Sequence, residues 1–180
     1  MSRYWRRDRG SRCCTRARNR FSVTEGSQLP TARQVKWAST YWTGAWGWGN
    51  GMGLLVDPAH PALAGFPTAC HSDWQWKELV EGAQAIELPA ELAERMDRGG
   101  AIVIENLADF HVPAREPCVF AVKVGQGKLI VCGFDVTRDL DNRHAARALR
   151  QSLLTWAASD GFAPQTQLNP QEARELLIPR

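Results

Sequence analysis

Cys118 to Val136 reads CVFAVKVGQGKLIVCGFDV, two β-rich runs around a short link that contains two glycines. Val, Ile and Phe dominate both runs, and a Gly-containing link of this length predicts a β-hairpin. The same context removes another reading of "GQGK". A phosphate cradle needs its glycines between a strand and a helix N-terminus, and here a second strand follows. No cofactor is therefore expected.

Toward the N-terminus, "AIEL" (85–88) and "AIVIENL" (101–107) are two further strand candidates, separated by the helix-prone "PAELAERMDRG". "GLLVD" (53–57) is a continuous apolar run and predicts a buried strand. "PAHPALAGFPT" carries three prolines, which restrict it to loop or a single helical turn. Ser72 or Asp73 then caps a helix from about Trp74 to Gly82, with Trp76, Leu79 and Val80 on one apolar face. Further back, "VKWASTYW" (35–42) reads as a strand and "TGAWGWGNGMG" as a loop. Beyond the hairpin, Ala146, Leu149, Leu153 and Trp156 have helical spacing that ends at Gly161. A polar tail with one amphipathic piece, "PQEARELLI", closes the chain. Strands alternating with helices predict an α/β fold, with helices on a largely parallel sheet that ends in the antiparallel hairpin.

The 180 residues, 44% of them hydrophobic, suffice for one core of ordinary density. No apolar run approaches the roughly 18 residues that cross a bilayer, and the N-terminus lacks the zones of a secretory signal. The expected location is cytoplasmic. Charge is unevenly placed: Met1 to Arg20 hold eight Arg against Asp8, a charge of +7, so the other 160 residues carry −4. The body thus has no basic surface suited to nucleic acid, and such binding falls to the arm alone. That arm has no periodicity, which predicts disorder. A nucleic-acid arm, a solvated tail and a by-product of gene structure are all readings it allows. The expected limits are arm and connector 1–33, α/β body 34–164 and tail 165–180.

The five cysteines, Cys13, Cys14, Cys70, Cys118 and Cys132, form no CxxC pair and suggest no disulfide framework. Cys118 and Cys132 lie in apolar runs, as small buried hydrophobes do. Cys70 lacks the flanking glycines of a nucleophile elbow. None of the four histidines is paired at the spacing that puts two ligands on one helical face, so no metal is expected. The acids Asp57, Asp73, Glu105 and Asp135 lie near strand ends, where a carboxylate serves catalysis or braces a loop.

Five of the eight tryptophans fall in two segments. Indole faces suit the apolar faces of sugar rings, and amides and carboxylates suit their hydroxyls. Trp46, Trp48, His71, Asp73, Trp74, Gln75 and Trp76 are accordingly the carbohydrate-binding candidates. Trp at i and i+2 on a helix point to different faces, so Trp74 and Trp76 cannot form one platform.

"GMGLLVDPAHPALAGFPTACHSDWQWKELVEGAQAIEL", with "VIENL" and "VGQGKLIVCGFDV", resembles the C-terminal accessory region of bacterial family 2 glycoside hydrolases, the β-galactosidase-like enzymes. The resemblance runs from about Tyr41 to Pro164. It implies a three-layer, flavodoxin-like sandwich similar to class I glutamine amidotransferases, here without its first βα units. It also implies a non-catalytic accessory or interaction module. In those enzymes a separate barrel hydrolyses the sugar, and a barrel needs about 250 residues. The implied partner is a glycoside hydrolase catalytic domain or another subunit, with carbohydrate contact. A sheet edge left open by missing strands would favour homo-oligomers. The competing expectation is a small glycoside or ester hydrolase using His71 or Asp73 with Glu105.

Overall fold

The structure, a computed structural model, describes residues 19–23, 32–35, 52–107 and 115–177. Within them the strands are β1 (Asn19–Val23), β2 (Ala32–Gln34), β3 (Gly53–Val56), β4 (Gln84–Ile86), β5 (Ile102–Leu107), β6 (Glu116–Val124), β7 (Gly127–Cys132) and β8 (Gln167–Leu168). The α-helices are α1 (Lys77–Val80), α2 (Ala90–Arg98), α3 (His144–Ala158) and α4 (Pro170–Leu177). Trp46, Trp48 and the strand expected over 35–42 lie outside the described residues, apart from Val35.

The hairpin is β6 and β7. Val124 pairs with Gly127, so the link narrows to Gly125 and Gln126. Gly125 takes φ +60, the conformation that glycine supplies at the first position of a two-residue hairpin turn. The two strands form the centre of a six-stranded sheet in the order β1-β7-β6-β5-β3. β8 pairs with Lys123 and Val124, beyond the point where β5 stops at Phe120.

Alternation along the hairpin splits its side chains between two layers. Val119, Ala121, Ile130 and Cys132 pack with Ala146, Leu149 and Leu153 of α3. Phe120, Val122 and Val131 pack with Leu92, Ala93 and Met96 of α2 and with Leu176 of α4. Thiols buried this way are inert. Burial pushes Cys118 well up and Cys132 up to about 12, so neither supplies a thiolate near neutrality.

The mostly parallel, flavodoxin-like or amidotransferase-like sheet is not what the chain forms. β3–β5, β5–β6 and β6–β7 are antiparallel, and parallel pairing is confined to β1–β7 and β6–β8. The physical reason lies in the strands on either side of α2. β4, before the helix, pairs antiparallel with β2 in a separate two-stranded sheet, with Gln84 N–H donating to Gly133 O after β7 and Leu88 N–H to Arg115 O before β6. β5, after the helix, lies between β3 and β6 and is antiparallel to both. Helix α2 thus does not link two neighbouring parallel strands of one sheet.

Packing also crosses the limits drawn at residues 33 and 164. β1 pairs in register with β7 from Asn19↔Lys128 to Val23↔Cys132. At the other end Leu168 and Leu176 are buried in the α2 layer. No helix among the described residues is long and apolar enough to cross a membrane.

Candidate functional site

The segment after β3 is shaped by short-range caps. Asp57 Oδ1 accepts the Ala59 N–H at 2.9 Å, and His60 Nδ1 accepts that of Ala62 at 3.1 Å, which starts a 3-10 turn over Pro61–Leu63. The turn docks on α3 through one hydroxyl. Ser152 Oγ accepts Gly65 N–H at 2.9 Å and donates to Ala62 O at 2.7 Å.

The chain then returns beside β3. Val56 N–H donates to Cys70 O, His71 forms a bridge with Leu55, and Leu54 N–H donates to Ser72 Oγ at 3.0 Å. Asp73 accepts Gln75 N–H at 3.2 Å and caps a 3-10 turn, Trp74–Trp76, that runs into α1. The expected single helix is therefore two short pieces. Asp73 is its cap, whereas Ser72 serves β3.

This geometry separates the two tryptophans. Trp76 is fully buried, edge-on to Phe66 at 5.0 Å, with its Nε1 donating to Thr68 Oγ1 at 2.9 Å. Trp74 is 70% exposed, with Lys77 Nζ 5.8 Å from its ring centre. Of the carbohydrate candidates that the structure describes, His71, Asp73 and Trp74 are exposed, and Gln75 is half-buried with its amide given to Pro67 O. Trp76 belongs to the core.

The residues expected for a hydrolase do not converge. Glu105 is buried against β3, where Arg115 pairs with it and also reaches Asp97 at 3.0 Å. The bond to Glu105 is the main reason that the Arg115 pKa is raised. The register runs Glu105↔Leu55 and Leu55↔His71, so Leu55 stands between the two. Two strand spacings put His71 and Glu105 roughly 10 Å apart. Asp57, Asp73 and Asp135 each spend a carboxylate oxygen on backbone N–H groups within three residues. Cys70 Sγ lies 3.9 Å from His71 Nδ1, a long sulfur contact on exposed surface. Among the described residues no three His, Cys, Asp or Glu are grouped to hold a metal.

The motif reading missed the edge itself. Among the described residues the large apolar side chains left exposed are Met52, Leu55, Leu107 and Trp74. Three of them lie on β3 or directly beside it. Leu55 lies on β3 and Met52 immediately before it, while Leu107 pairs with Gly53. Trp74 follows three residues after His71, the partner of Leu55. The backbone of β3 is itself covered on that side by residues 70–72, so what is exposed there is side chain.

No curated protein matches this sequence. The model of the family described as Domain of unknown function (DUF8487) matches residues 18–178, nearly the whole chain, and the chain belongs to that family.

Proposed function

We propose that this chain is a non-catalytic interaction module whose partner docks on the β3 edge. The observation that carries the reading is the exposure of Met52, Leu55 and Leu107 at that edge and of Trp74 three residues beyond His71. A second observation supports the non-catalytic half. Of the candidate acids, Asp57, Asp73 and Asp135 accept nearby backbone N–H groups and Glu105 pairs with Arg115, while Leu55 stands between His71 and Glu105. The class of partner, a family 2 glycoside hydrolase catalytic domain, rests on the sequence resemblance around residues 51–88. The fold lends it no support.

Sedimentation velocity of the chain, alone and mixed with such a catalytic domain, tests the proposal. The mixture should form a complex that Leu55→Lys with Trp74→Ala weakens at least tenfold, about 1.4 kcal/mol. A complex indifferent to that double substitution refutes the edge. Turnover of chromogenic glycosides or esters that substitution of His71 or Asp73 abolishes refutes the non-catalytic reading.

A further inference from the structure

A cavity of about 240 Å³ opens between α3 and the turn joining α2 to β5. Trp156, His60, Gln165 and the bare backbone of Gly99, Gly100 and Gly161 form much of its wall. Gly99 has to be bare, because a Cβ there would stand 2.0 Å from Thr166 Oγ1. The cavity shares no residue with the β3 edge. It sits where β5 begins, and Leu107 is where β5 ends.

The polar groups in this wall have defined roles. His60 Nδ1 accepts the Ala62 N–H, so the proton of the neutral ring is on Nε2, a donor. Burial lowers the His60 pKa against the opposing pull of Asp57, which keeps the ring neutral near pH 7. Gln165 gives its Nε2 to Ala163 O at 2.6 Å, leaving its amide oxygen as an acceptor. The Trp156 indole is held edge-on between His60 at 5.1 Å and Phe162 at 4.8 Å. No lining residue is acidic, lysine or arginine.

These features select a ligand by chemistry. An anion would find no cation among the lining residues, and a purely apolar ring would leave the imidazole donor and the Gln165 amide oxygen unused, at a cost; the Gly99 and Gly100 N–H groups are already given to Arg95 O and Asp97 O. The volume is below the roughly 300–1,000 Å³ of drug-sized sites, which limits the occupant to about one ring. We infer that this cavity binds an uncharged polyhydroxylated ring the size of a single pyranose. Its apolar face meets Trp156, its hydroxyls meet His60 Nε2 and the Gln165 amide oxygen, and the bare glycines give it room.

The experiment is a titration of the ¹⁵N-labelled full chain with methyl β-galactoside and methyl β-xyloside, followed by NMR. At least one should give saturable shifts of the Trp156 indole N–H and of the Gly99, Gly100 and Gly161 amides, with a dissociation constant on the order of 1 mM. Gly161→Leu adds bulk to a residue of the cavity wall from an exposed position, where a Cβ meets nothing closer than Ser159 Oγ at 3.6 Å. It should reduce affinity at least tenfold and leave distant resonances in place. His60→Asn keeps an acceptor for the Ala62 N–H but loses the Nε2 donor, and should cost about three- to tenfold. Three results would each overturn the inference: no saturation by about 50 mM, binding of glucuronate or indole as tight as that of the neutral glycosides, or a Gly161→Leu chain that binds them unchanged.

Discussion

Asp135→Asn distinguishes a structural brace from a catalytic acid. The Asp135 side chain is 12% exposed and meets five donors. Oδ1 accepts the N–H groups of Thr137 and Arg138, at 3.1 and 3.2 Å, and the Thr137 hydroxyl at 3.2 Å. Oδ2 accepts Arg138 Nε at 2.6 Å and faces Arg143 Nη1 at 3.4 Å. Arg143 also donates to Glu78 O, and Glu78 Oε1 accepts the Ala146 N–H, so the network ties the chain after β7 to α1 and the first turn of α3. Asparagine keeps one oxygen for the backbone but presents an amide NH₂ to two guanidinium groups. Arg138 is 75% exposed, and solvent screening limits its share to under about 1 kcal/mol. Arg143 is 19% exposed, and losing its carboxylate costs about 1–3 kcal/mol. The expected loss is about 1–4 kcal/mol of a total of about 5–15.

The pH dependence carries a second, independent signature. Desolvation alone would raise the Asp135 pKa, but the bonds from Thr137 and Arg138 outweigh it and hold the folded-state value below the ordinary 3.8. A depressed carboxylate contributes its full stability above the unfolded pKa and loses it as pH falls through the folded value. In urea unfolding, the gap between the native chain and Asp135→Asn should therefore be widest near about pH 7 and begin to close below about pH 4. A gap under about 0.5 kcal/mol, or one that does not change with pH, refutes the brace.

Two further outcomes follow from the same packing. Trp76→Ala should cost about 3–5 kcal/mol in urea unfolding, whereas Trp74→Ala should stay within about 0.5 kcal/mol and act only on partner binding. Removing residues 166–180 strips Leu168 and Leu176 from the α2 layer, at about 1.5–3 kcal/mol for each buried side chain. Circular dichroism should then show a melting temperature at least several degrees lower, where a mere tail would leave it unchanged.

Local elements were largely legible in the sequence because their signals are local. The hairpin follows from two β-branched runs and a glycine at the turn, and α3 from the spacing of Ala146, Leu149 and Leu153. The start of α4 was equally open to reading. Asn169 Oδ1 accepts the N–H groups of Gln171 and Glu172, and Glu172 Oε2 accepts that of Asn169, a reciprocal cap spelled "NPQE". Strand direction was not legible. The alternation around α2 suggests a parallel unit, but nothing within residues 84–107 says that β4 will pair with β2 in a separate sheet or that β5 will take β3 and β6 as antiparallel neighbours. That is decided by pairing across the chain, and so is the choice between parallel and antiparallel sheets.

The site was hidden for the same reason, compounded by exposure. "GLLVD" reads as a wholly buried strand, yet Leu54 and Val56 are buried while Leu55 is 50% exposed, because β3 is last in the sheet order and one of its faces is open at that point. Composition pointed to the tryptophans, but the number of indoles does not determine which one faces water. The packing decides it: Phe66, Phe134 and the Thr68 hydroxyl receive Trp76 in the core, and Trp74, at the start of the turn that Asp73 caps, is left outside.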